Sequence, residues 1–207
     1  MKVYKTARTW ALALALAGIG GVALAAPVQV SYLQVSAWDN PAAQMTVNRQ
    51  LEAVANEFAA EVAAIPAKGN MDGFGSLTMK KSAETDCWLS IAVETYVIAP
   101  QHANGVARMD MKLFDKQTGT QVDAYEALGC DAKTVRQAVR QELLHMQRQG
   151  VGIDRRTLYT KLADSNYRPA LFLSANGPAV YFQRGEIAAS AEGAIIVVLP
   201  HIGSGQK

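Results

Sequence analysis

Residues 177–200 read GPAVYFQRGEIAASAEGAIIVVLP, and the fold turns on how this stretch is understood. An aromatic strand, Val180-Tyr181-Phe182, breaks at Gly185-Glu186, and a run of small residues follows. The chain then returns as Ile195–Leu199, wholly apolar, and stops at Pro200. Short apolar runs bounded by turn residues read as buried strands. Just upstream, Ala170-Leu171-Phe172-Leu173 precedes Asn176-Gly177, and Asn-Gly between two apolar runs is a strong hairpin signal.

The rest of the chain supplies both periods. Val28–Val35 alternates as a strand, and Asn40-Pro41 suits a helix N-cap followed by proline at the first helical position. From there Val47, Leu51, Val54, Phe58, Val62 and Ile65 recur at three or four residues, predicting an amphipathic helix over 41–64. Gly69–Gly75 reads as a turn, Leu77–Lys81 and Trp88–Ile98 as strands, and Val106–Phe114 as the partner of the latter. After the turn Asp115–Gly119 comes a short strand to Tyr125. Asp131 then caps a helix with Val135, Val139, Leu143 and Met146 on its apolar face, and Gly150 ends it. Arg155–Asp164 reads as a third, more polar helix.

Strands interleaved with helices at irregular spacing, with hairpins, predict an α+β fold: a mixed or antiparallel sheet packed by two to three helices. Two small, intimate subdomains, 27–104 and 105–207, fit this order. No Gly-rich phosphate loop opens a helix after a strand.

The N-terminus predicts export. Lys2, Lys5 and Arg8 precede the apolar run Trp10–Ala26, and Ala23-Leu24-Ala25 offers the small residues that signal peptidase requires, so residues 1–26 read as a cleaved signal peptide. A retained anchor is the alternative, but the run is short, interrupted by glycine and followed at once by Pro27. The expected address is secreted or periplasmic, with no membrane anchor after cleavage. Removing Lys2, Lys5 and Arg8 leaves 17 basic residues against 18 acidic ones, a formal charge of −1 with no dense basic tract. That argues against nucleic acid, whose phosphates call for clustered Lys and Arg. Cys87 and Cys130 are the chain's two cysteines. In an oxidising compartment they predict one disulfide, closing a loop of about 44 residues at about 4 kcal/mol of stabilisation; two buried free thiols are the alternative.

The segment LFLSANGPAVYFQRGEIAASAEGAIIVVLP resembles the C-terminal signature of an extracytoplasmic bacterial domain. That domain occurs in the lysozyme-sensing anti-sigma factor RsiV and beside the catalytic domain of the peptidoglycan deacetylase PdaC. The shared features are Phe172, Gly177, Tyr181-Phe182, Glu186-Ile187-Ala188, Gly193, Ile195–Leu199 and Pro200. Upstream, VNRQLEAVANEFAAEV with Asn48, LSIAVETYVIAPQHANG, MDMKLFDKQTGTQV and VRQAVRQELLHM resemble the family's remaining elements in order. The resemblance implies that the break after Phe182 is a crossover to the next strand, with Gly193 giving the re-entry. It also implies a sensing or accessory domain standing alone. The chain departs from the family at Gln101-His102-Ala103-Asn104-Gly105, where the family has Gly-Ala-His, and at Gly185, where the family has tyrosine. Aromatics in exposed loops anchor protein partners, so Gly185 weakens the implied lysozyme binding.

The candidate binding residues are His102, Asn104, Tyr181, Gly185 and Glu186, in loops around Pro100–Gly105 and Arg184–Ala191. No catalytic residue, metal site or cofactor is assigned: the three histidines lack zinc spacing, and neither cysteine has a near companion. Ser76 lacks a nucleophile elbow and reads as a turn residue. Asp110, Asp115 and Asp123 lack the order of a calcium loop. Trp88 and Tyr96 read as core rather than as glycan platforms. Glu186 reads as an ion-pair partner of Arg184 or Lys161 that fixes the crossover, in preference to a general acid. These residues predict a non-enzymatic, exported cell-envelope domain that binds a protein or a cell-wall glycan. The alternatives are a cell-wall hydrolase or deacetylase using Glu186, His102 or Asp110, and a lysozyme-inhibitor-like protein. The oligomeric state is left open.

Overall fold

The computed structural model describes residues 9–10, 28–69, 72–189, 193–200 and 202. The expected export signal lies outside them apart from Thr9–Trp10. Among the described residues no helix is long and apolar enough to cross a membrane. The elements in order are β1 (Thr9–Trp10), β2 (Val28–Ser31), α1 (Pro41–Ala63), β3 (Phe74–Glu84), β4 (Trp88–Ile98), β5 (Val106–Asp115) and β6 (Gln121–Val122). They continue as α2 (Ala124–Ala127), α3 (Ala132–Arg148), α4 (Arg155–Ala163), β7 (Ala170–Ser174), β8 (Gly177–Phe182) and β9 (Ile195–Val198). The fold is α+β, with a mixed sheet in the order β1 to β6 and a separate antiparallel sheet, β7-β8-β9.

The chain forms two compact units. One takes the chain up to Lys81, Ala92–Asp110 and Lys116–Thr120; the other takes Ser82–Ile91, Met111–Asp115 and the chain from Gln121 onward.

In the first unit β2 and β3 run parallel, with Val28 opposite Gly75 and Ser31 opposite Thr78. Parallel neighbours need a long connection, and α1 provides it. Asn40 caps α1 by accepting from the Ala42 and Ala43 amides, with Pro41 opening the helix. Val47, Leu51, Ala55, Phe58 and Val62 form its buried face. Phe58 and Val62 lie so close to β3 that a Cβ on Gly75 would stand 2.3 Å from a Val62 methyl. Glycine is what lets helix and strand approach there. Asn48 Oδ1 accepts from the Val35 amide at 2.8 Å and Nδ2 donates to the Val35 carbonyl at 2.9 Å, so one side chain pairs as a neighbouring strand would. The turn after β5 is held to α1 twice: Asn40 Nδ2 donates to Gln117 O at 2.6 Å, and Gln50 Nε2 to Gly119 O at 2.8 Å.

In the second unit α3 contributes Val135, Val139 and Leu143 to a core shared with Val180, Phe182, Val197 and Leu199 of the small sheet. β8 and β9 are antiparallel neighbours, with Tyr181 opposite Ile196 and Phe182 opposite Ile195. The segment after Phe182 therefore crosses no strand, contrary to the expected crossover. It leaves the sheet and returns beside the strand it left. The reason is burial: Ile187 is 2% exposed in this core, Ala188 bridges to Ile153, and Asp154 N donates to Ile187 O at 2.8 Å. The detour carries an apolar plug to the connection between α3 and α4.

Three local expectations change. β3 begins at Phe74, which places Ser76 in a strand opposite Gln29 rather than in a turn. The strand expected to reach Tyr125 ends at Val122, because Asp123 accepts from the Tyr125 and Glu126 amides and starts the single turn α2. The expected disulfide is not formed: Cys87 is an exposed free thiol and Cys130 a half-buried one. Cys130 Sγ donates to Leu128 O at 3.2 Å, and burial, then the Asp131 charge, raises its pKa and disfavours the thiolate that disulfide exchange requires.

Gly119 combines a left-handed φ of 76° with a Cβ position 2.4 Å from the Ala43 carbonyl oxygen, whereas Gly69, at φ 65°, faces open space. Gly69→Ala is expected to cost about 1 kcal/mol, the left-handed penalty alone. Gly119→Ala should cost about 3 kcal/mol, because backbone must move as well. Urea unfolding of the two variants compares them directly, and equal losses would refute the close approach.

Candidate functional site

The residues singled out by sequence fall in different units, His102 and Asn104 in the first, Tyr181, Gly185 and Glu186 in the second.

In the first unit the connection from β4 to β5 is an exposed loop whose shape is fixed from below. His102 N donates to Ala99 O at 3.1 Å, closing a turn, and Gln101 sits at φ 65°, a left-handed conformation rare for a residue with a side chain. His102, Ala103 and Asn104 are exposed. Gly105 N donates to Tyr96 Oη at 3.2 Å, and a Cβ on Gly105 would fall 2.2 Å from the Tyr96 ring. Tyr96 in turn lies against Phe74, ring centres 6.4 Å apart. The aromatic that sequence offered either to core or to a glycan is thus the floor of the loop.

In the second unit Glu186 has both carboxylate oxygens engaged. Oε1 accepts from Lys161 Nζ at 2.9 Å and from Tyr167 Oη at 3.1 Å; Oε2 accepts from the Gln183 amide at 2.7 Å. Its side chain is 19% exposed and that of Lys161 35%. Lys161 also stands over the Tyr167 ring, 5.4 Å from its centre. Burial, reinforced by the Glu186 charge, raises the Tyr167 pKa, so the phenol remains a donor. Of the two ion-pair partners named from sequence, Lys161 is the one that meets Glu186. Gly185, exposed at φ 77°, makes the turn that aims the carboxylate inward. Tyr181 is buried on β8, which withholds its ring from a ligand. Residues 190 and 191 of the predicted binding loop lie outside the described residues.

A second polar knot in this unit has no functional counterpart in the sequence. Asp123 caps α2 and accepts from Arg168 at 2.6 Å; the Arg168 guanidinium lies 4.2 Å from the centre of the Tyr125 ring, and Tyr125 Oη donates to Pro169 O at 2.7 Å. Burial pushes the Tyr125 pKa up to about 12. Burial alone would raise the Asp123 carboxyl, but the Arg168 hydrogen bond and the Glu126 and Tyr125 amides hold it below the ordinary aspartate value. No group of three or more His, Cys, Asp or Glu side chains able to hold a metal ion occurs among the described residues.

Glu186→Gln keeps the shape and removes the charge, and is expected to destabilise the protein by about 1–2 kcal/mol. Combined with Lys161→Met it should cost less than the sum of the two single changes, a coupling that a double-mutant cycle in urea reads directly. Held below its unfolded value, Asp123 contributes stability that is complete above the ordinary carboxylate pKa and lost as pH falls through the folded value. Arg168→Gln should therefore move the Asp123 titration upward toward its unfolded value, followed by carboxyl NMR, lower stability at neutral pH and flatten the acid limb to which Asp123 contributes.

No protein-family model matches the chain, and no curated protein does. Solved structures do, two of them proteins of one family. A member of the DUF3298 family from Bacteroides fragilis superposes with a TM-score of 0.60 at 10% identity, over 95% of this chain and 91% of that one. A DUF3298 family protein from Pseudomonas aeruginosa gives 0.62 at 14% identity, over 97% of this chain and 92% of that one. The chain therefore shares, over nearly its whole length, the fold of DUF3298 proteins, a domain family of unknown function.

Proposed function

We propose that this protein is an exported, non-enzymatic binding domain of the cell envelope, akin to the RsiV and PdaC extracytoplasmic domain, and that it meets a protein or a cell-wall glycan through the loop from Ala99 to Gly105. The observation that carries this reading is the loop itself. It is exposed at His102 and Asn104, set in a left-handed turn at Gln101, and braced by Tyr96 beneath Gly105. A loop already held in one shape loses little conformational entropy on binding, which is how a small surface gains affinity. Glu186 points the same way. A general acid needs a carboxyl group free to meet substrate, and this one is met on both oxygens by Lys161, Tyr167 and Gln183. The resemblance at 170–200 and the N-terminal apolar run support the envelope address.

Calorimetry of the protein against soluble peptidoglycan fragments and lysozyme, with released sugar and acetate assayed in the same samples, tests this. Saturable binding without release is expected, weakened about tenfold by His102→Ala with Asn104→Ala, residues whose exposure makes their loss neutral for stability. Release of sugar or acetate would overturn the non-enzymatic reading in favour of a hydrolase or deacetylase.

A further inference from the structure

The formal charge of −1 left after removal of the N-terminal run is unevenly distributed. Residues 132–168 hold eight Lys and Arg against three acids, Glu142, Asp154 and Asp164. Helix α3 gathers the excess on one side. Lys133, Arg136, Arg140, Leu144 and Arg148 follow one another at intervals of three, four, four and four, a single stripe on a helix of 3.6 residues per turn. It flanks the buried Val135, Val139 and Leu143, about 120° around the helix from them, with Arg136 and Leu144 half-buried, and Glu142, the helix's one acid, is turned away from it. Lys133, Arg140 and Arg148 are exposed, as are Arg155 and Arg156 on the neighbouring α4.

These cations are largely unneutralised. Lys161 is paired with Glu186 and Arg168 with Asp123. Among the described residues none of Lys133, Arg136, Arg140, Arg148, Arg155 and Arg156 is paired with a carboxylate. Arg136 donates to Tyr167 O, Arg148 to Leu144 O and Arg155 to Gln147 Oε1, while Arg140 stacks on Tyr159, 4.9 Å from the ring centre. Like charges within a Debye length of one another, about 8 Å in physiological salt, repel, and a bound polyanion relieves that repulsion. Along the stripe, Gln137, Arg140, Gln141 and Leu144 line a shallow groove of about 510 Å³. Tyr159, 42% exposed, stands beside it in the grip of Arg140.

We propose that this face of α3 and α4 binds a linear acidic polysaccharide bearing carboxylate groups. Guanidinium groups meet carboxylates, the Gln137 and Gln141 amides meet the hydroxyls between them, and an exposed tyrosine ring meets the flat face of a sugar. From Lys133 to Arg148 the stripe runs about 22 Å at 1.5 Å per residue, suiting an extended chain rather than a single small ion. A membrane surface fits less well, since the apolar face of α3 is already buried in the core and has nothing to insert. The proposal is independent of the Ala99–Gly105 loop, which lies in the other unit.

The test is calorimetry of the full chain with oligogalacturonate over a salt series, beside neutral dextran, polyglutamate, single-stranded DNA and anionic phospholipid vesicles. Oligogalacturonate should bind saturably, more weakly as salt rises, and more tightly than the other four probes. Lys133→Gln with Arg140→Gln and Arg148→Gln should weaken it about tenfold or more and flatten the salt dependence. Glutamine keeps the helix, and circular dichroism checks that it has. Removing the same charge from the first unit, as Lys68→Gln with Lys80→Gln and Arg108→Gln, should leave binding unchanged. No binding of oligogalacturonate overturns the proposal, as does equal weakening by both triple variants. Tighter binding of polyglutamate, DNA or vesicles overturns it in favour of that class of partner.

Discussion

A carboxylate largely withdrawn from water must be met on both oxygens or not be buried at all, and the second unit is arranged around satisfying one. Glu186 receives Lys161 from α4, Tyr167 from the link between α4 and β7, and the Gln183 amide from its own turn. The next residue, Ile187, is buried in the core. The two facts are coupled. Ile187 can face the core only if the residue before it is held with its charge compensated, since an unmet carboxylate would turn the segment toward solvent. One charged group therefore determines whether the β8–β9 connection is a plug or a loose loop. A connection of small residues needs such a determinant, having few side chains of its own to hold it.

The first unit solves its own long-range problem with neutral groups. α1 must return the chain so that β3 can lie parallel to β2, and its position is set by side-chain amides. Asn48 pairs with the Val35 backbone, Asn40 with Gln117 and Gln50 with Gly119. Each amide offers donor and acceptor together, so it can substitute for a strand edge. Gly75 and Gly119 supply the complementary constraint, since the helix sits where a Cβ on either would overlap it. Apolar periodicity says that α1 has a buried face; the amides and glycines say where along the chain that face is docked.

What was legible in the sequence follows from this division. α1, β4, α3 and the β7–β8 hairpin were readable because each rests on local signals: Asn40-Pro41, an apolar strand, Asp131 with a heptad-like face, and Asn176-Gly177. The role of Glu186 as an ion-pair partner was also readable, since Lys161 lay within a short list of cations. Long-range facts were not. That β8 and β9 are neighbours depends on where Ile187 is buried, and α2 depends on Asp123 preferring two amides to a strand ladder. That the thiols of Cys87 and Cys130 are free, one exposed and the other half-buried with Sγ donating to Leu128 O, is likewise not carried by their spacing. Tyr181 looked available because aromatics near a break often are; its place on the middle strand of a three-stranded sheet buries it.

Charge shows the same limit in its clearest form. A net charge near zero with no dense basic tract argues against a polyanion only if charges are scattered on the surface as they are along the chain. On a helix they are not. Residues spaced by three and four become neighbours, so Lys133, Arg136, Arg140 and Arg148, diluted by alanine, glutamine and leucine in the linear text, form one row. The acids that balance them lie mostly before residue 132, where Asp and Glu outnumber Lys and Arg. Screening confines each group's influence to its own neighbourhood, so only carboxylates within about a Debye length of α3, such as its N-cap Asp131, offset its row of cations. A balance taken over the whole chain therefore excludes partners that see the whole chain at once. A partner that meets one helix responds to the charge of that helix.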